Sequence, residues 1–400
     1  MNFLGYIFGA GAILSAALAL WQWAAARKFP LHQKFAGGNF APAVSILKPL
    51  KGCDATTRAS LQSWLQQTYA GPVEILFGVA EAADPVCAIV HQLLAENPNC
   101  RARFSVCENL AGTNAKAAKL AQLEKLAAHD LILISDTDVR VPPDFLASFV
   151  APLRDEKIAL VNCFYRLANP TTTAMKWEAV AVNADFWSQV LQSQTLKPLD
   201  FALGAAILVR RPALNEIGGF ASLADCLADD YQLGHRIAKL GHRIALCPVV
   251  VECWDAPQNW ARVWNHQLRW ARTIRVCQPL PYFFSILSNV TLWALLWFMA
   301  GWPQFSLALT QRGGEQHFQF AYLLPWGALL APALWLLRIG LAQNLQRRFT
   351  PERKLISPAW LVPVRDLLNA AIWLAAFLGN TIEWRGRKMK LRRDGTLVEL

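Results

Sequence analysis

Ala228-Asp229-Asp230-Tyr231 carries two adjacent carboxylates. His266-Gln267-Leu268-Arg269-Trp270 follows it, and from Tyr282 the chain turns almost wholly apolar. A carboxylate that reaches a hydroxyl can act as a general base. An arginine offers a planar fork that grips a diphosphate through two parallel hydrogen bonds. A base, a clamp and then an apolar anchor imply an enzyme that joins a water-soluble activated donor to a lipid acceptor at a membrane surface. Adjacent side chains point in different directions, so one of the two acids serves as base. Asp230 is assigned that role, and Asp229 can cap the helix that begins beside it. Gln267, Arg269 and Trp270 are candidates for the donor, with His266 placed near the leaving group. With Trp260 and Trp264 close by, the same stretch also fits an amphipathic interfacial helix.

Asp136-Thr137-Asp138 is a second acidic motif, directly after the apolar run Leu131-Ile132-Leu133-Ile134-Ser135. A divalent cation, Mg2+ or Mn2+, held by Asp136 and Asp138 would neutralise the charge that grows on a departing diphosphate. The plain alternative is a solvated loop with a helix cap. Asp84, followed by Pro85, is placed to contact a nucleotide base or ribose, and equally to close a turn. Gly112-Thr113-Asn114-Ala115-Lys116 opens a helical run. Lys116, helped by backbone N–H groups, can meet a phosphate there; Thr113 or Asn114 can instead be the N-cap.

These residues need a scaffold. Val44-Ser45-Ile46-Leu47, Glu74 to Val79, Leu131 to Ile134 and Ala159 to Cys163 read as strands, the first ending at Lys48-Pro49. The stretch Ala115 to Ala128 has helical spacing. Alternating strands and helices imply an α/β domain with a mostly parallel sheet, which binds ligands at the carboxyl ends of its strands. Asp136 and Asp138 fall at such an end.

The chain has 400 residues, 54% of them hydrophobic, and a mean hydropathy of +0.24. That is too apolar for an ordinary soluble protein. The excess is concentrated in uncharged runs: residues 1–26, Tyr282 to Pro303 and Phe318 to Leu337. Each is long enough to cross a core about 30 Å thick. Arg27 and Lys28 follow the first run rather than precede it, which favours a membrane helix over a cleaved signal peptide. The same charges place residues 30–280 in the cytoplasm. Ile356 to Asn380 is also apolar but holds Pro358, Pro363, Arg365 and Asp366, which fits a re-entrant or interfacial helix pair.

The expected organisation is therefore a membrane helix over 1–27 and a cytoplasmic catalytic domain over 40–275. A membrane region over 280–383 and a basic tail over 384–400 complete it. The net charge of +11 lies largely beside the apolar runs, at Arg347, Arg348, Arg353, Lys354 and Arg385 to Arg393 among others. It follows the positive-inside pattern and argues for a lipid bilayer, not nucleic acid, as partner. Nine scattered cysteines with no CxxC pair indicate a reduced compartment without a disulfide framework or zinc site.

Taken together, Asp84, Asp136, Asp230 and His266-Gln267-Leu268-Arg269-Trp270 resemble the family 21 glycosyltransferases, the ceramide glucosyltransferases. That family's pattern is three spaced aspartates and a (Q/R)xxRW sequence. Val44 to Gly52, Trp384-Arg385-Gly386-Arg387 and Leu391-Arg392 extend the resemblance over nearly the whole chain. It implies a GT-A-type domain, UDP-glucose as donor, a divalent cation and inverting transfer to the primary hydroxyl of ceramide in a bacterial inner membrane. In that scheme Asp230 is the base and Asp84 holds the nucleotide. Lys48, Asn114, Lys116, Asp136, Arg269 and Trp270 surround the metal and diphosphate. His266 departs from the pattern, standing where the family has Gln or Arg, and Asp138 adds a carboxylate to the central motif. Related enzymes that glycosylate a hopanoid polyol, with UDP-N-acetylglucosamine, share the core residues, and processive polysaccharide synthases share the (Q/R)xxRW pattern. Asn183, Asp185, Trp187 and Asp200 are polar or aromatic enough to line a headgroup site and can equally belong to the fold.

Overall fold

The β-branched and leucine-rich runs become strands because their side chains pack on both faces of a sheet. The computed structural model describes residues 3–35, 40–310, 326–352, 355–384, 387–392 and 394–400. The start of the expected span Phe318 to Leu337 lies outside these residues, as do Arg353, Lys354, Arg385, Gly386 and Arg393.

The chain forms two compact units. One comprises Phe29–Thr172, Ser193–Asn259 and Asn380–Leu400. In it β1 (Val44–Pro49), β2 (Val73–Val79), β3 (Ala102–Val106), β4 (Leu131–Ser135), β5 (Val139–Arg140), β6 (Ile158–Leu167), β7 (Ala206–Arg210) and β8 (Arg243–Cys253) form one sheet. Their order is β3-β2-β1-β4-β7-β6-β8-β5. The four strands read from the sequence are all present. β3, β2, β1 and β4 run parallel, as do β6 and β8. β7 runs antiparallel between β4 and β6, and β5 antiparallel to β8. The sheet is thus mostly parallel with an inverted strand at its centre.

Every residue of β1 and β4 is buried. Alternate residues of β1 feed opposite cores. Ile46 joins Trp64, Phe77, Phe145 and Phe149 on one face, while Leu47 joins Leu76, Leu120, Phe220 and Leu233 on the other. Parallel β1, β2 and β4 all end on the same edge, so the loops after Pro49, Val79 and Ser135 gather there. Residues 384–400, expected as a basic tail, instead contribute to a second sheet. Its strands β9 (Thr381–Trp384), β10 (Arg387–Leu391) and β11 (Leu397–Glu399) pair antiparallel in the order β11-β10-β9.

The other unit comprises Met1–Lys28, Thr173–Gln192 and Trp260–Gly379, so the stretch 40–275 is shared between the two units. The helix Phe3–Lys28 is long and apolar enough to cross a membrane. The run from Tyr282 to Pro303 is broken: Pro279–Ser288 and Val290–Gly301 meet at 53° and pass the same test only as a pair. Asn289 makes the break. Its Oδ1 accepts from Leu292 N at 3.0 Å and its Nδ2 donates to Asp366 O at 2.7 Å, so it caps the second segment. The apolar stretch after Ile356 holds the helix Leu361–Phe377. Its 17 residues extend about 25 Å at the α-helical rise. Arg338, on the helix Trp326–Phe349, reaches Asp366 through Nε at 2.9 Å and an η nitrogen at 2.8 Å. It also reaches Asp185 at 2.9 Å.

Candidate functional site

β4 delivers Asp136-Thr137-Asp138 to the carboxyl edge of the sheet. Lys48, buried near the end of β1, fastens this loop by donating through Nζ to the Asp136 carbonyl and, at 3.3 Å, to Ser135 Oγ. Burial pushes the Lys48 ammonium down to about 7, with the nearby Asp136 and Asp138 charges opposing. Its Nζ also lies 4.6 Å from the centre of the Trp64 ring. Lys48 therefore shapes the motif from behind. Asp136 is the accessible acid, its side chain 41% exposed. Asp138 is raised to about 7 by burial first and then by the charges of Asp136 and Asp255.

Lys116 links the two acidic motifs. Its Nζ lies 2.7 Å from Asp136 Oδ1 and 3.3 Å from Asp229 Oδ2. Burial works against its charge, but Asp136, Asp229 and Asp230 outweigh that effect and hold the ammonium well above its usual range. Asn114 is the N-cap of the helix Ala115–Leu126. It accepts from Lys116 N at 3.0 Å and Ala117 N at 3.2 Å, and donates to Cys226 O at 2.8 Å. Its side chain is committed to the fold, with Asp229 Oδ1 a further partner at 3.4 Å. Gly112 has φ +86°, and a Cβ there would sit 2.6 Å from Ala224 O. That close approach joins the Lys116 loop to the segment preceding Asp229.

Asp229 and Asp230 open the helix Asp229–Lys239, where the helix dipole favours negative charge. The N-cap is Ala228, which supplies no side-chain bond. Asp229 is therefore not the cap: it occupies the first helical turn with its carboxylate toward Lys116. Asp230 Oδ1 accepts from Tyr231 N at 2.8 Å. Burial first, then the Asp229 charge, raise the Asp230 carboxyl to about 6, with Lys116 opposing. Sequence reading missed Gly204. A Cβ there would lie 2.6 Å from Asp230 Oδ2, so glycine leaves room for the acid. Gly234 likewise lets this helix press on the backbone, since a Cβ would meet Ala202 N at 2.3 Å. The C-terminal sheet steadies the entry to the helix. Leu397 N donates to Asp225 O at 2.8 Å and Leu227 N to Gly395 O at 3.2 Å.

Asp84 accepts from Gly52 N at 2.9 and 3.0 Å and from Val86 N at 3.0 Å. It thus ties the loop after β1, where Gly52 has φ +66°, to the helix Val86–Glu96. Lys48, Asn114, Lys116, Asp136, Asp138 and Asp230 come together around the carboxyl edge. Among the described residues no group of three or more His, Cys, Asp or Glu forms a metal cage.

His266, Gln267, Arg269 and Trp270 lie in the other unit, on the helix Trp260–Cys277. His266 Nδ1 and Gln267 Nε2 approach Glu178 Oε1 at 2.7 and 2.8 Å. The His266 ring meets Trp270 edge-on at 4.8 Å. Glu178 was invisible to motif reading, since nothing in its local sequence marks it. Asp185 and Trp187 serve the fold. Asn183 O accepts from Trp187 Nε1 at 3.0 Å, and Trp187 stacks on Phe349 at 5.0 Å. Asp185 pairs with Arg338, and Asp200 with Lys197 at 2.7 Å.

A family model, "Glycosyl transferase family 21", matches residues 6–397. Ceramide glucosyltransferase 1 of Caenorhabditis elegans is 24% identical over 92% of this chain and 76% of its own length. An N-acetylglucosaminyltransferase of Rhizobium leguminosarum bv. viciae is 23% identical over 73% of this chain and 69% of its own. Among solved structures, a mannosyltransferase from Pyrobaculum calidifontis in complex with GDP-Man and Mn2+ superposes with a TM-score of 0.51. It is 20% identical and covers 92% of this chain and 98% of that one. The likeness bears out the expected GT-A-type α/β architecture.

Proposed function

Because the chain belongs to glycosyl transferase family 21, we propose that it moves glucose from UDP-glucose to the primary hydroxyl of ceramide, giving a β-glucoside. The observation that carries this reading is the cluster of Asp230, Asp229, Lys116 and Asp136 at the carboxyl edge of the sheet. A carboxyl raised to about 6 is ionised at neutral pH yet basic enough to take a hydroxyl proton. Asp230 removes the proton from the acceptor oxygen, that oxygen attacks the anomeric carbon in line, and UDP leaves from the opposite face. Asp84 and the loop it ties would face the nucleotide. Lys116 would exchange a carboxylate for a phosphate oxygen, and Arg269 and Trp270 would hold the diphosphate and the acceptor end.

A divalent ion fits the chemistry of Asp136 and Asp138. Two hard oxygen donors without a closed cage suit Mg2+ or Mn2+, which takes its remaining ligands from phosphates and water. When bound, it would neutralise charge on the leaving diphosphate. This reading places the catalytic unit on the cytoplasmic side of a bacterial inner membrane crossed by the helix Phe3–Lys28; Arg27 and Lys28 at the end of that helix support the orientation.

The test offers purified protein labelled UDP-glucose, UDP-galactose and UDP-N-acetylglucosamine with ceramide, diacylglycerol or a hopanoid polyol. Product mass identifies donor and lipid together. Glucosylceramide is expected; product with the hopanoid alone overturns the choice of acceptor. The N-acetylglucosaminyltransferase relative supports that second reading for the donor.

A further inference from the structure

We propose that Glu178 is a positioning residue for Arg269 and Trp270, acting through His266 and Gln267. The inference rests on the reading that Arg269 and Trp270 hold the donor diphosphate. Glu178 lies on the helix Thr173–Val180 and is 5% exposed. A carboxylate so removed from water needs donors, and it can only accept. Both come from consecutive residues of one helix, His266 Nδ1 at 2.7 Å and Gln267 Nε2 at 2.8 Å. The acid assigns the His266 proton to Nδ1.

Consecutive residues point about 100° apart around a helix axis. One acceptor gripping two such points fixes both the rotation of the helix Trp260–Cys277 and its position along the axis. Trp177, next to Glu178, adds a second fastening by packing on Trp260 with ring centres 5.8 Å apart. The held imidazole then meets Trp270 one turn further on, edge to face at 4.8 Å. Arg269 rides on the same rigid segment, so Glu178 sets the direction in which both side chains leave the helix. This also accounts for His266 in a position where the family pattern has Gln or Arg. All three side chains can offer an N–H to a carboxylate.

The experiment compares Glu178→Ala, Glu178→Gln and His266→Gln with Arg269→Ala in the full chain in detergent. The readouts are the Kd for UDP and for GDP with Mn2+, the donor KM and kcat with UDP-glucose, and the melting temperature. Glu178→Ala is expected to weaken nucleotide binding and raise donor KM about tenfold, because misdirecting a clamp by about 1 Å has effects of that order or larger. Glu178→Gln, which still accepts from Gln267, and His266→Gln, which still donates to Glu178, keep most of the affinity. If Glu178→Ala does not fold, the paired change His266→Ala with Gln267→Ala removes the same two bonds and carries the same expectation. An Arg269→Ala protein that binds UDP and GDP like the parent overturns the diphosphate reading. A weakened Arg269→Ala beside an unchanged Glu178→Ala overturns the positioning role alone. Equal damage in Glu178→Ala and Glu178→Gln, with melting lowered in both, also overturns it, since that marks a role in stability only.

Discussion

Two charge clusters, one in each unit, are built on opposite principles. Around Arg338 the charges are matched, with the buried Arg365 as the second cation beside Asp185 and Asp366. The Arg338 guanidinium takes Asp366 in a two-point grip at 2.8 and 2.9 Å and Asp185 at 2.9 Å, and Thr291 donates to Asp366 at 2.6 Å. Around Lys116 they are not. Asp136 and Asp229 share the direct contact of one ammonium, Asp138 and Asp230 add two more carboxylates nearby, and Lys48 is turned toward a backbone carbonyl. The first cluster is balanced in charge and ties helices together. The second retains an excess of carboxylate that a cation and a hydroxyl proton would complete. A site that must bind and release charge is kept electrostatically unfinished, and a joint that must hold is not.

Breaking the matched cluster is expected to have the largest effect on folding. Arg338→Met leaves two buried carboxylates facing each other and should cost about 3–5 kcal/mol, read as a fall in melting temperature in detergent. Adding Asp185→Asn, which leaves Arg365 opposite Asp366, should restore most of it; a melting curve unaffected by Arg338→Met would show that the joint is not holding.

In the unmatched cluster the effect falls on rate. Asp230→Asn should lower kcat by at least about 10²-fold, and full activity in this variant would remove Asp230 as the base. The raised carboxyl gives a pH signature. Above about 6 the base is ionised, so kcat/KM should fall as pH drops through that value. The sign for stability is opposite. Between the ordinary carboxyl range and about 6 the folded chain holds a proton that the unfolded chain has lost, so this group's contribution declines as pH rises through that window. Asp230→Asn should therefore melt higher than the parent at pH 7.5 while being nearly inactive.

Smaller changes sharpen the contrast. Gly204→Ala places a Cβ against Asp230 Oδ2 and should reduce kcat about tenfold through displacement of the base, with donor KM little changed. Asn114→Ala removes a cap and should cost about 1 kcal/mol. A loss of donor affinity larger than that of Lys116→Ala would instead return Asn114 to the donor site.

The strands β1, β2, β4 and β6 and the Ala115 helix were legible because apolar period and β-branching are local properties. β7 and β8 were not. Ala206-Ile207-Leu208-Val209 is short, and Pro248 interrupts Arg243–Cys253, where the register of β8 on β6 shifts. The antiparallel setting of β7 depends on neighbours that no local pattern names. The acids were legible as a set, but their division of labour was not. Asp84 read as a nucleotide contact or a turn residue, and Asp229 as a cap. One closes a loop on Gly52, and the other faces Lys116.

The sequence alone marks the candidate site residues, their order along the chain, the strands that deliver Asp136 and the apolar helix at Phe3–Lys28. Those follow from side-chain type and short-range spacing. Only the folded chain shows that Gly204 makes room for Asp230, that Lys116 joins two acidic motifs, and that Glu178 holds His266 and Gln267 on the helix that carries Arg269 and Trp270. Each of these is a contact between segments far apart in the chain, where the energy of burying a charge or a Cβ depends on what the fold brings opposite it.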